Sequence, residues 1–125
     1  MKKSLLLLLP VTMFLTSCSK ETVTAPPVDE TEWLQQPRGV VVETGGFSCN
    51  YFIVQNKWGY ALMQSYGATP FSGSVVYGQH TSWGYGSFYN RSGGYLFRAN
   101  VVDFGLSYFS ALDQLEWYCR DPFEQ

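Results

Sequence analysis

Charge is scarce in this sequence and strongly biased to neither sign: 8 lysines and arginines face 10 aspartates and glutamates among 125 residues. No stretch is basic enough to leave the electrostatic footprint of a nucleic-acid binder. Histidine is scarcer still, with His80 alone, and the three cysteines form no CxxC. There is no HxxxH either, so the ligand spacings of zinc sites are missing and no metal or other cofactor is expected. No GxSxG elbow presents a nucleophilic serine. A Ser–His–Asp set can be composed only by joining His80 and Asp103 to any of many serines. Glu43 and Asp103 would be an arbitrary pair of glycosidase carboxylates. The tripeptide "DFG" at 103–105 lacks the glycine-rich loop, strand lysine and HRD segment of a kinase. The chain reads as a non-enzyme. Long apolar runs are missing too: Leu5 to Leu15, interrupted by Thr12, falls well short of the roughly 20 residues that span a bilayer.

Lys2 and Lys3 precede that run and make it an export leader, set aside before the fold is considered. It ends in Leu15-Thr16-Ser17-Cys18, which resembles the lipobox of bacterial lipoproteins: leucine at −3, a small residue at −1, then cysteine. Ser17 departs from the commoner Gly or Ala but keeps the position small. The resemblance covers this segment alone. It implies that residues 1–17 are a lipoprotein signal peptide and that Cys18 becomes thioether-linked to diacylglycerol. Cleavage before Cys18 then frees an amino group that is usually acylated. Two or three acyl chains, at roughly 0.8 kcal/mol per buried CH₂, hold a protein to a membrane far more firmly than one. Ser19 stands where an aspartate would signal retention at the inner membrane, so the implied address is the bacterial outer membrane, periplasmic or surface-facing. Without Lys2 and Lys3 the mature chain keeps six basic and ten acidic side chains, a formal charge of about −4. Anionic headgroups, like nucleic acid, are then poor partners.

Residues 18–36 follow as the lipidated cysteine and a solvated tether. The composition of "SKETVTAPPVDETEWLQQ", polar and acidic with a Pro26-Pro27 pair, cannot bury a core. Trp33 and Leu34 are the exception and are expected to dock on the domain edge. Residues 37–125 form a single small domain with a thin core. In an exported chain its two cysteines, Cys49 and Cys119, are expected to pair. Closing a loop of about 70 residues stabilises a fold by roughly 4 kcal/mol in the chain-entropy account. In so small a domain that is a large share of the net stability.

The domain reads as mainly β. "GVVVET" (39–44) is a β-branched strand, and Gly45-Gly46 signals a hairpin into "FSCNYFIVQ" (47–55). "NKWG" (56–59) turns into "YALMQSY" (60–66), and "GATPFSG" (67–73) is a longer loop that Pro70 keeps from regular pairing. "SVVYGQ" (74–79) and "SFYN" (87–90) are further strands. "RSGG" (91–94) turns into "YLFRANVVDF" (95–104), where Tyr95, Phe97, Ala99 and Val101 alternate with Leu96, Arg98, Asn100 and Val102. "SALDQLEWYC" (110–119) changes period to a helix, with Ser110 at the N-cap, Asp113 three residues on, and Asp121-Pro122 as the stop. Short antiparallel strands followed by one helix predict a strongly curved sheet or partly open barrel, OB-like in architecture only.

What abounds is aromatic surface: four Trp, nine Tyr and nine Phe. With few long aliphatics in the domain, much of the core must be aromatic. The densest stretch, "HTSWGYGSFYNRSGGY" (80–95), offers Trp83, Tyr85, Tyr89, Asn90 and Arg91 as a ligand-binding set, since aromatic faces beside amide and guanidinium groups suit sugar rings and protein partners alike. Its glycines, with Gly78, equally suit a tightly coiled strand whose bulky residues share one face. The "NRS" at 90–92 matches a glycosylation sequon that has little meaning in a bacterial lipoprotein. The functional expectation is a lipid-anchored envelope protein acting as a non-catalytic binding or accessory module. It meets the membrane through its acyl chains and binds a protein or glycan of the envelope. The alternatives are a carbohydrate-binding module and an inhibitor of a cell-wall hydrolase. "FSGSVVYG" (71–78) faintly resembles the SGxxY motif of membrane-bound lysozyme inhibitors. Here three residues rather than two separate Gly73 from Tyr77, and the motif's following Trp-Lys-Gly is missing. The extra residue turns Tyr77 to the other face of its strand.

Overall fold

The apolar alternation of residues 51–65 builds the centre of the molecule. The computed structural model describes residues 28–46 and 48–120. In it β2 (Tyr51–Asn56) and β3 (Gly59–Ser65) form a tight hairpin. Lys57 and Trp58 make its turn, and Gly59 takes a φ of 128°, a conformation that glycine adopts without steric cost. Around this hairpin β1 (Arg38–Thr44), β4 (Val75–Tyr77), β5 (Gly84–Asn90) and β6 (Tyr95–Leu106) complete an antiparallel barrel. Its order is β1-β2-β3-β6-β5-β4, and β4 pairs back onto β1 to close it. Closure removes the free edges that an open sheet would expose to other chains. The mainly β fold with one C-terminal helix is the architecture the sequence leads one to expect.

Two cores lie back to back across the same strands. Phe52, Val54, Met63, Phe88 and Val101 fill the barrel, with Phe97 and Phe104 packed against them. Ile53 and Leu62, the alternate residues of β2 and β3, face outward and would be stranded in water on their own. The helix α1 (Tyr108–Tyr118) covers them with Ala111 and Leu115. Burying each large side chain contributes roughly 1.5–3 kcal/mol, so β2 and β3 are stabilised from both faces.

The helix begins earlier than its apolar spacing suggests. Ser107, not Ser110, is the N-cap: its Oγ accepts a hydrogen bond from the Ser110 N–H at 3.1 Å. Tyr108 and Phe109, which fall between the 95–104 strand and the 110–119 helix expected from sequence, therefore belong to the first turn. At the other end the Cys119 N–H bonds to the Leu115 carbonyl; the proposed stop at Asp121-Pro122 lies outside the described residues. Cys119 is bonded to Cys49 across 70 residues. That bridge also explains why Gly45-Gly46 is not a two-residue hairpin. The chain runs on to Tyr51 before β2 begins, looping out to bring Cys49 over the helix end. The two sulfurs then occupy the space that a Cβ on Gly45 would need.

From sequence the interior glycines are expected to let the strand coil; the structure shows one of them making room for a ring. Gly78 lies against the Phe88 ring, which takes the room a side chain there would fill, and at Gly86 the same ring lies at ordinary contact distance. The strand they belong to is not continuous, however: residues 78–83 form turns between β4 and β5, and β5 begins at Gly84 rather than Ser87.

Opposite the helix, residues 30–37 cross the outer face of β4 and β5 as a strap. The Trp33 ring lies 6.2 Å from that of Tyr89, and the Pro37 carbonyl accepts from the Gly78 N–H at 3.0 Å. Glu30 receives the Tyr89 hydroxyl at 2.8 Å and the Arg91 Nε at 3.1 Å. Trp33 thus docks as anticipated, while Leu34 is exposed. From Glu30 onward the tether is seated on the barrel. Cys18 and the rest of residues 1–27 lie outside the described residues.

Candidate functional site

With the helix on one side and the strap on the other, a strip of the barrel's outer face stays uncovered. Strand register decides what it carries. Tyr51 pairs with Gln64, Gln64 with Asn100, and Asn100 with Tyr85, one residue from each of β2, β3, β6 and β5. Residues directly opposite across antiparallel strands point to the same face. The row runs over about 14 Å from exposed Tyr85 through two amides to Tyr51, which is partly buried against the helix-covered core. Tyr66, just past β3, stacks on Tyr85 with ring centroids 5.3 Å apart. Tyr118, at the end of α1, stacks on Tyr51 at 4.6 Å. Arg98 and Ser87, both exposed, face each other across β6 and β5 beside the row.

The electrostatics of the strip follow from crowded phenols. The Tyr85 hydroxyl beside Tyr66 pushes its pKa up to about 12. Partial burial, with Tyr118 alongside, raises that of Tyr51. Tyr66 and Tyr51 are thus neutral hydrogen-bonding groups at ordinary pH. The strip offers flat apolar rings, amides and one guanidinium, on strands held rigid by two cores.

The five candidate residues of the 80–95 stretch divide into two groups. Trp83 and Tyr85 stand outward, 71% and 68% exposed. Trp83 leans on Phe104, centroids 4.8 Å apart, and with Trp33 of the strap it borders a small cleft of about 290 Å³ over Gly84 and Gly86. The other three residues hold structure together. Tyr89 is 5% exposed beneath Trp33, and its hydroxyl is committed to Glu30. Asn90 is buried; its amide donates to the Tyr95 hydroxyl and its oxygen accepts from the Gly93 N–H, fixing the 91–94 turn. Arg91 is engaged by Glu30. Tyr77, which carries the faint resemblance to lysozyme inhibitors, is buried with its ring near that of Tyr89. Gln64, Tyr66 and Asn100 were missed by reading single stretches. Each lies in a strand of clear alternation, but only the pairing register joins them to Tyr85.

The groups weighed for catalysis are dispersed. His80 is fully buried between β4 and β5; its Nδ1 lies 3.0 Å from the Asn56 amide nitrogen, and its Nε2 has no partner among the described residues. Burial drives its pKa down to about 4, opposed by the Val76 carbonyl. Asp103 accepts from the Gln114 side chain and the Phe104 N–H, and Glu43 accepts from the Tyr108 hydroxyl at 2.7 Å. Among the described residues, no three His, Cys, Asp or Glu side chains converge as a metal site would require.

Set against protein-family models, curated proteins and solved structures, the chain matches none of them. Geometry alone carries the functional reading.

Proposed function

We propose that this chain is a lipid-anchored protein of the bacterial outer membrane whose barrel is a non-catalytic module binding an envelope glycan. The observation that carries the reading is the outward stance of Tyr85 on β5 and of Trp83 just before it, with Tyr66 stacked alongside and Gln64, Asn100 and Arg98 within the same strip. A pyranose ring presents an apolar C–H face and a rim of hydroxyls. The tyrosine rings suit the first, and the amides and guanidinium suit the second. The near absence of exposed charge in the strip favours a neutral polymer over an acidic or basic partner. Cys18 would carry the acyl chains, with Ser17 and Leu15 directing the processing. Charge balance speaks against nucleic acid as a ligand.

The test is binding of the purified chain to cell-wall and outer-membrane glycan fragments on an array, followed by titration calorimetry on a hit. Tyr85→Ala and Tyr66→Ala are each expected to weaken binding at least tenfold, with unchanged thermal unfolding because both rings are exposed. Unaltered affinity in the double variant would sink the site. A lysozyme-inhibition assay on the same variants checks the inhibitor alternative: inhibition lost with these tyrosines would move the ligand from glycan to hydrolase. For the anchor, mass spectrometry of the membrane-extracted protein should find a diacylglyceryl adduct on Cys18, absent from Cys18→Ala.

A further inference from the structure

We propose that one end of the barrel lies on the very lipid surface that holds the anchor, so that the glycan strip, on the barrel wall, faces sideways along the membrane. The inference rests on the lipoprotein reading and adds an orientation to it. The ends of the molecule are defined by the strands. β1, β3, β5 and α1 finish at one end, where β2, β4 and β6 start. That end carries the 66–74 loop, the 91–94 turn and the Cys49–Cys119 bridge. Glu30 is bound there by Arg91, at the turn that follows β5, whereas Pro37 meets Gly78 at the far end of the strap. The strap therefore enters the fold at the disulfide end. Only nine residues separate Cys18 from Val28, a covalent reach of at most about 35 Å. The barrel itself is about 23 Å long, from seven-residue strands.

The side chains at that end suit an interface. Phe71 is 84% exposed on its loop, and Leu96 and Trp117 are each at least half exposed nearby. Arg120 places a guanidinium group at the same end, giving the mix of aromatic, aliphatic and snorkelling cationic groups found at headgroup depth. Asp29 and Glu116 are also close, so insertion is not driven by anionic lipid; the occupant is a neutral bilayer surface. Aromatic exposure alone does not choose the end, because Trp58 and Phe109 are exposed at the opposite one. The entry point of the strap chooses it. A surface held within that reach by its own tether meets lipid at high effective concentration, so weak insertion suffices.

Trp117 and Trp58 mark the two ends and supply the experiment. The full acylated chain is reconstituted into phosphatidylcholine vesicles with brominated acyl chains, in two versions that retain only Trp117 or only Trp58, the other tryptophans being replaced by Phe. Circular dichroism verifies the fold. Trp117 fluorescence is expected to be quenched several-fold more than that of Trp58. Phe71→Asp with Leu96→Asp, both at exposed positions, should abolish the difference. Equal quenching, or quenching of Trp58 alone, overturns the orientation while an adduct mass on Cys18 leaves the lipoprotein reading standing. A chain without that adduct that fails to float with vesicles overturns both.

Discussion

His80 closes the far end of the barrel as a neutral plug, its ring lying parallel to that of Phe88 at 6.3 Å. Its folded pKa of about 4 stands below the ordinary 6.5. Between those values the unfolded chain binds the extra proton, so stability is full above pH 6.5 and falls as the pH drops toward 4. The loss across that window should reach about 3 kcal/mol, read as a shift of the urea midpoint. A His80→Gln chain should show no such slope. Glu30 acts in a different range: the Tyr89 hydroxyl, and then Arg91, hold its carboxyl below the usual value. Its grip on the strap is therefore present at neutral pH and released only in acid below the carboxylate range. Gly78 tests the packing logic. Alanine there meets the Phe88 ring at a φ of 150° and should cost roughly 3 kcal/mol. At Gly84, where nothing lies within 4 Å of an added Cβ, alanine carries only conformational strain, about 1 kcal/mol. Equal costs at the two sites would refute crowding by Phe88. At this scale the sequence was informative about type and poor on role. Parity puts Trp83 and Tyr85 on one face and the glycines on the other without saying which face is inward, and nothing local distinguishes Tyr89, held under Trp33, from Tyr85 four residues before it.

Among the elements, the helix start is the sharpest correction and the easiest to check. Ser107→Ala should cost about 1 kcal/mol in thermal or denaturant unfolding, while Ser110→Ala, which leaves the capping oxygen in place, should cost a few tenths at most. The reverse order would restore Ser110 as the cap. Strands with two clean faces were legible from sequence. β6 keeps the alternation read from residues 95 to 102, and the Asn56 to Gly59 turn closes its hairpin as its residues require. Elements whose limits depend on distant partners were not legible. The path from Gly45 to Tyr51 is set by a cysteine 70 residues away, and β5 starts where β6 offers a partner for Gly84. The strap hid for a related reason. Its composition is that of a solvated spacer, and only Trp33 betrays the surface waiting for it on β4 and β5.

For the molecule as a whole, the disulfide is the longest-range constraint. Reducing it should lower stability by about 4 kcal/mol and loosen the end of α1, where Tyr118 stacks on Tyr51. Denaturant unfolding with and without reductant measures it; a difference below about 1 kcal/mol would mean that the two cores alone set the fold. Closure itself is thin: β4 joins β1 through three residue pairs and β5 through two. Amide hydrogens of Val75 to Tyr77 should exchange sooner than those of β2 and β3. The strap bears on this seam mechanically. In the lipid-anchored arrangement proposed above, the fold is pulled at Val28 whenever the membrane moves. That load arrives at the end where Glu30 is fastened and runs along the strap, so the contacts from Glu30 to Pro37 share it in shear. Only after Val28 to Pro37 have come loose does tension reach β1 and the three pairs that keep the barrel shut. The docked tether is a shock absorber in series with its weakest joint.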